Sequence, residues 1–484
     1  MSRGLLTPAL LALAAAACAV GPSYKEPAVA PEGATVGLSP RPDSIRAFYD
    51  SLARAADTTA AAVTPRELQP DSADLAWLAV LKDTTLLGLV NLAVRENRDV
   101  QTAVARIREF RAELGVARSE LLPELTANGS ASTNQAVFGA FPPQTFDAFR
   151  VTADLQWELD FWGRIRRGVQ AARADLQGEE AFYQSTLLTL VSDVSTAYLE
   201  LLELAQEEAI AERTLASRRA TLELARSRFE SGVISELDVH QFESEVAVPA
   251  ASLAQARRLR SQREHELAAL VGRMPFTIPA GAELSRAVDA VQVPDSLPAT
   301  LLARRPDVRV AERAFAAAVA RVGVAQASRL PRISITGNYG SQSSTADDLF
   351  SGDTEVYQLQ AGVSVPIFTG GRLANESRAA GARAEQARLQ FEQTVLQAFR
   401  ESSDALVAVR TARDQRVAQQ SQVVALRKAA ELADIRYRGG VASYLEVLDA
   451  QRQLFSAELG LSQTQLLELS SVVGLYRALG GSWD

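Results

Sequence analysis

The sequence predicts a mostly α-helical chain that carries membrane β-barrel strands, with four strands and two long coiled-coil helices arranged as two copies of one unit. Three observations predict this. Gly163-Arg164 recurs as Gly371-Arg372, an offset of 208, and the same offset carries Val100 to Val308, Pro123 to Pro331, Gly232-Val233 to Gly440-Val441, Ser235 to Ser443 and Gly272 to Gly480. Coincidences at a single spacing define a duplicated unit with no net insertion between those points. The second observation is strict alternation of apolar and polar residues before each Gly-Arg. The third is a long proline-free run after each of them, from Arg164 to Glu230 and from Arg372 to Arg438.

The N-terminus MSRGLLTPALLALAAAAC has one positive charge, an apolar stretch and small residues before a cysteine, the pattern of a secretory signal over residues 1–17. Cys18 is the only cysteine of the 484 residues, which excludes an intramolecular disulfide and makes lipid attachment the simplest role for a thiol at that place. Residues 18–76 then read as lipid anchor and flexible lead-in, being rich in Pro, Ala, Asp and Ser without a sustained period. The first repeat spans 77–272, a linker 273–296, the second repeat 297–480 and a short tail 481–484.

Within the first repeat the pattern is helical from Leu86 to Leu122, where Pro123 ends it. Leu125 to Ser132 alternates, as does its counterpart from Ile333 to Tyr339. From Phe149 to Phe161 the apolar residues Phe149, Val151, Ala153, Leu155, Trp157, Leu159 and Phe161 stand at odd positions, against Arg150, Thr152, Asp154, Gln156, Glu158 and Asp160 at even ones. Tyr357 to Ile367 repeats this. Such a period means a strand with one greasy and one wet face. A soluble sandwich would bury the greasy face; a barrel would turn it to lipid. Charges on the wet face and a length of about 9–11 residues suit a tilted strand crossing a bilayer around a water-filled lumen, with Arg150, Asp154, Glu158 and Asp160 lining it.

Gly163 and Gly371 then permit a sharp turn, and a long helix starts at Arg164 or Arg372. At a rise of about 1.5 Å per residue, each proline-free run reaches roughly 100 Å. Leu187, Val191, Val194, Tyr198 and Leu201 step by four and three, and Val395, Phe399, Ser402, Leu406 and Val409 match them, a heptad seam that calls for helical partners. Each long helix ends at a glycine, Gly232 or Gly440, and each return helix opens on a capping-box pattern, Ser235 to Asp238 and Ser443 to Glu446. Four strands cannot close a membrane barrel, for which about eight is the lower limit, so the membrane reading requires several copies of the chain.

Other classes find little support. A formal net charge of −8 disfavours nucleic acid as a partner. His240 and His265 are the only histidines, and no catalytic constellation, cofactor loop or metal-ligand spacing is present, so neither an enzyme nor a metal site is expected. A periplasmic coiled-coil scaffold lipoprotein would explain the heptads but not the strands.

Taken together, CAVGPSYKEP after the signal, ENRDV, LLPEL, the junctions WELDFWGR and VPIFTGGR, RYRGGVASYLEVLDAQR and the terminal YRALGG resemble the TolC-like outer-membrane factor family, in its lipoprotein branch. Residues 27–74 are longer than that family's usual lead-in, and Ala15 stands where a lipoprotein signal usually has Leu. The resemblance implies a homotrimer with a twelve-stranded barrel in the outer membrane, continued by a helical tunnel through the periplasm. It further implies an efflux duct served by a periplasmic adaptor and an inner-membrane transporter, without cofactor, the cargo being small amphiphilic molecules or, alternatively, metal ions or secreted peptides. Gly232, Val233, Gly440 and Val441 would be tips that dock the adaptor. Beside them, Arg226-Ser227-Arg228-Phe229-Glu230 faces Asp434-Ile435-Arg436-Tyr437-Arg438 at the common offset. Charge is inverted between Arg226 and Asp434 and between Glu230 and Arg438, and this set, with Arg228, Phe229, Arg436 and Tyr437, is the candidate periplasmic gate.

Overall fold

A computed structural model describes residues 20–25, 35–36, 83–137, 139, 142–278, 284 and 297–481. The signal, Cys18 and the expected start of the first repeat at Trp77 lie outside the described residues. In chain order the elements are β1 (Thr35–Val36), α1 (Thr84–Glu96), α2 (Arg98–Ser119), β2 (Glu124–Ala136), β3 (Gln144–Leu159), α3 (Arg164–Glu230), α4 (Glu236–Leu270) and β4 (Leu297–Pro298). There follow a 3-10 turn (Ala299–Arg304), α5 (Pro306–Ala327), β5 (Arg332–Ser343), β6 (Glu355–Ser364), α6 (Arg372–Arg438) and α7 (Tyr444–Leu479). β1 and β4 form a two-stranded ladder, and the other four strands form one antiparallel sheet in the order β2-β3-β5-β6.

Both long helices have the predicted bounds and 67 residues each. Their N-caps, Gly163 and Gly371, have φ of 76° and 83°, the left-handed backbone that glycine adopts without steric cost. The heptad seam of α3 is the core: Leu187, Val191, Val194, Tyr198 and Leu201 are all buried, against Leu86, Val90 and Ile107 of α1 and α2 and Leu267 of α4. Tyr198 also donates from its hydroxyl to Asp83 at 2.6 Å. In α6, Val395, Leu406 and Val409 anchor the second core with Phe399 half-buried against it.

Four expectations need correction. The helix expected from Leu86 to Leu122 is two helices. Asn97, at φ −62° and ψ 136°, leaves the helical region, and its side chain accepts from Asp99 and Val100 N–H to cap α2. The strands are also shifted: β3 runs from Gln144 to Leu159, excluding Asp160 and Phe161, and β6 stops at Ser364, because Pro366 cannot donate to a ladder. Of the two capping boxes only the first forms; Ser443 makes no side-chain cap, and the Glu446 carboxylate lies 3.8 Å from Arg436 instead. Finally, the lead-in and linker are not free where they are described. Ile278 and Leu284 are buried in the first core. Val20 N–H donates to Trp162 O at 3.0 Å, Arg167 holds Gly21 O at 3.0 Å, and Tyr24 donates to Glu312 Oε1 at 2.8 Å.

The duplication extends to atomic detail. Asn97 donates its amide to Leu270 O at 2.9 Å, and its counterpart at the repeat offset, Arg305, donates to Ala478 O at 2.6 Å. Gly272 closes over Asn97, and Gly480 closes over Arg305, both with left-handed backbone.

Candidate functional site

Cross-strand register gathers the even positions of all four strands onto one face. Asp154 stands opposite Thr126 and Asn338, Gln156 opposite Glu124 and Thr336, and Asn338 and Thr336 opposite Gln358 and Gln360. These residues line a single polar trough. Asn128 donates to Asp154 Oδ2 at 2.6 Å, and Arg150 stands opposite Ser130 and Gln342 on the same face. The odd face carries Leu125, Val151, Leu155, Leu359 and Val363, of which Leu359 is 76% and Val363 67% exposed. Toward the β2–β3 loop it becomes polar, where Thr133 donates to Asp147 at 2.8 Å. An apolar band of limited height on one side and a charged trough on the other is the division a barrel wall needs between lipid and water.

Asp154 lines the trough, and Arg150 lies on the same face of the sheet beyond it. Glu158 lies at its base, where Arg164 grips it through Nε at 2.9 Å and Nη2 at 3.1 Å. Asp160, expected in the lumen, stands instead outside the strand. Its carboxylate accepts from Ile165 N at 3.0 Å and Arg166 N at 2.8 Å, satisfying donors that the first turn of α3 leaves free. The turn that glycine permits at Gly163 therefore aims Asp160 back at the helix.

At the opposite ends of α3 and α6 stand two helical tips. In each, a six-to-one bond closes the helix, Val233 N–H to Arg228 O at 2.9 Å and Val441 N–H to Arg436 O at 3.0 Å, around a left-handed Gly232 or Gly440. Val233 is 68% exposed and Val441 70%, and the matched Leu237 and Leu445 are exposed as well. The two leucines were not singled out by spacing, although the repeat offset pairs them. The two tips of one protomer touch: the Phe242 and Tyr444 rings are 3.6 Å apart between centroids, and the Arg228 guanidinium lies 4.6 Å over the Tyr437 ring.

The gate candidates are paired locally. Arg226 contacts Glu243 at 3.0 Å and Glu223 at 3.2 Å, and Arg438 contacts Asp434 at 3.0 Å one turn back on its own helix. Tyr437 is buried under Val447 and Ala433, whereas Phe229 and Glu230 are exposed. Above the tips lies a cluster that no motif or spacing marks. Arg218 of α3 and Glu245 of α4, both buried, pair at 2.5 Å, and Arg452 of α7 donates to the same carboxylate through Nε at 2.8 Å. Farther up α3, burial and the neighbouring Glu207 push the Glu203 carboxyl up to about 8, so it carries its proton at neutral pH.

A membrane sheet joined to roughly 100 Å of paired helices defines a class of protein, a duct that crosses an outer membrane and reaches inward from it. The family model for outer membrane efflux protein matches residues 89–273 and again 297–481, two matches separated by the repeat offset, and the chain belongs to that family. It is 32% identical to the antibiotic efflux pump outer membrane protein ArpC of Pseudomonas putida, covering 100% of this chain and 96% of that protein. It is 36% identical to the solvent efflux pump outer membrane protein SrpC of Pseudomonas putida, over 83% of this chain and 86% of that one. Among solved structures, the outer-membrane channel OprN superposes with a TM-score of 0.82 at 29% identity, covering 96% of this chain and all of that one. The chain is thus an outer-membrane efflux channel with a β-barrel end and a periplasmic helical tunnel.

Proposed function

We propose that three copies of the chain form the exit duct of a tripartite efflux pump, carrying small amphiphilic molecules of the solvent and antibiotic kind from a periplasmic adaptor and inner-membrane transporter to the exterior. The carrying observation is the four-stranded sheet with a polar trough. Among the described residues β2 and β6 each have one strand neighbour within the protomer, and open edges are not tolerated in lipid, so edge-to-edge pairing of three copies closes twelve strands around the trough. The uncharged-to-acidic lining of that trough selects no single cargo, and the relatives' names in solvent and antibiotic efflux support the amphiphile reading over metal ions or peptides. Cys18 carries acyl chains, palmitate included, that add to the anchoring of the barrel, and the intact mass of the mature protein reads their presence.

The adaptor docks on the tips. Matched exposed pairs Val233 with Leu237 and Val441 with Leu445 give every hairpin the same small apolar platform beside a glycine that allows close approach. In a strain lacking its own exit duct, the wild-type chain restores solvent and antibiotic efflux when its cognate pump is present. Gly440→Trp abolishes that efflux while trimer and barrel persist; normal efflux from this variant speaks against docking at the tips.

The closed state of the tunnel rests on the charged set above the tips. Asp434 and Arg438 hold each other along α6, next to Arg228 stacked on Tyr437, and loss of this pairing frees the end of the helix. An exposed pair contributes only about 0–1 kcal/mol, so the effect comes from its repetition by symmetry. Asp434→Ala combined with Arg438→Ala raises single-channel conductance in lipid bilayers; unchanged conductance and salt dependence would leave the packing of Tyr437 as the closure.

A further inference from the structure

One return helix of this chain is interrupted where its counterpart is not. α4 holds a buried proline, Pro249, in its interior, whereas α3, α6 and α7 contain no proline. A proline has no N–H to give the carbonyl four residues back, and its ring crowds that carbonyl, so the helix bends and an acceptor is released. In α4 the released acceptor is Glu245 O. Arg218 of α3 takes it up, donating through Nη1 at 2.8 Å, and the same nitrogen lies 2.5 Å from the Glu245 carboxylate. Arg218 and Glu245 are each 4% exposed, so solvent cannot supply the bond instead. The repeat shows that these three residues belong together. At the common offset Pro249 becomes Ala457, Arg218 becomes Leu426, and Glu245 becomes Gln453, whose amide donates to Asp449 of its own helix at 2.6 Å. The break and both residues that compensate it are present in the first hairpin and absent from the second. The compensation is partial, since Arg218 Nε is buried without a partner.

We infer that α4 carries a hinge at Pro249, clamped by Arg218, about which the tip of the first hairpin bends relative to the second. Arg218 on α3 and Pro249 on α4 stand at the same level, about 20 Å from the turn at Gly232, so a bend of about 20° carries that tip through about 7 Å. Glu245 sits at the pivot. Arg452 of α7, which donates to the Glu245 carboxylate through Nε at 2.8 Å, therefore keeps its hold while the tip moves. Nearer the tip, bending parts the Phe242 and Tyr444 rings, 3.6 Å apart between centroids, and draws the Arg228 guanidinium off the Tyr437 ring. The two tips of a protomer thus differ in compliance: the first adjusts, while the second continues helices that no proline interrupts. The use of this difference in transport rests on the docking reading above, under which the first tip accommodates the adaptor and the second sets the frame. The hinge itself depends only on the bonds around Glu245.

Amide hydrogen exchange of the full-length protein in lipid nanodiscs tests the hinge. Pro249→Ala restores the N–H that Glu245 O lacks, and exchange over residues 236–248 should slow about tenfold while the matched stretch 444–456 stays as it was. Arg218→Met removes the clamp and leaves Glu245 to Arg452. It should speed exchange over residues 219–248 about tenfold in the parent chain and less than about threefold beside Pro249→Ala, where Glu245 O has a helical donor. Should Arg218→Met fail to assemble, Arg218→Lys, which keeps the charge, takes its place with the same order expected. Equal acceleration with and without Pro249 would overturn the hinge, because Arg218 would then act through its ion pair alone. In the efflux strain, Pro249→Ala should lower transport several-fold although the protein melts at a higher temperature. A Pro249→Ala protein that melts higher and transports like the wild type would overturn bending as a step in transport. Failure of the wild-type chain to restore efflux would overturn the exit-duct reading instead, and the exchange result would still decide the hinge.

Discussion

Glu245→Ala is expected to destabilise the periplasmic half of the helical domain by about 3–5 kcal/mol, because it leaves the Arg218 guanidinium buried without a counter-charge. Arg218 is 4% exposed and lies 5.7 Å from the Phe455 ring centroid, so water cannot replace the lost carboxylate without parting the helices. The same substitution removes the partner of Arg452, a contact that, beside the Phe242–Tyr444 stack, ties α7 of the second hairpin to α4 of the first. The tips of both hairpins should therefore loosen together, read as proteolysis near Gly232 and Gly440 and as an earlier thermal transition. Glu245→Gln keeps the volume and one acceptor and should fall between. The burial of a charged triad need not make the fold more stable than an apolar set would, but removing one member of it is costly. A variant that melts and resists protease like the wild type would show that Arg218 finds another partner.

The second large effect is expected at Gly480→Ala. A Cβ there would lie 2.6 Å from Arg305 Cα, and the backbone stands at φ +80°. The left-handed conformation costs about 1–2 kcal/mol for a residue with a side chain, and forced overpacking adds about 1–3 kcal/mol. The clash pushes on Arg305, whose guanidinium joins Ala478 O, Asp307 and Glu401 and is 6% exposed, so the end of α7 and the start of α5 move apart. Gly272→Ala should act alike in the first unit, where the Cβ would collide with Glu96 O. Wild-type thermal stability in both variants would count against the glycine-closure account of the repeat.

Much of this architecture is legible in the sequence because it is periodic. The long helices run between glycines and contain no proline, so their bounds can be read to the residue, and alternation identifies the strands and the face each residue takes. What alternation does not mark is where a strand stops: Asp160 continues the even series by its polarity, yet its carboxylate caps free N–H groups of the helix, where negative charge is favoured. The break at Asn97 is silent in the first unit, which has no proline or glycine there. Its counterpart in the second unit is Arg305 followed by Pro306, so the repeat itself holds the clue. The Arg218, Glu245 and Arg452 cluster lies on three helices and obeys no spacing, which places it beyond any reading of one chain segment. The exposed leucines at the tips are invisible for the opposite reason: a leucine in an amphipathic helix is ordinarily core, and only the end of the hairpin leaves Leu237 and Leu445 uncovered.

The central claim is that the even face of the sheet borders water inside a closed barrel and the odd face borders lipid. Single cysteines placed in turn from 149 to 159 in the full chain, in outer membranes, and exposed to a charged water-soluble thiol reagent, test it most directly. The account predicts labelling at Arg150, Thr152, Asp154 and Gln156 and protection at Val151, Ala153, Leu155 and Trp157, since a charged adduct on the lipid face meets a cost of roughly 2–4 kcal/mol near the midplane. Equal labelling at odd and even positions, or the inverse pattern, would contradict it.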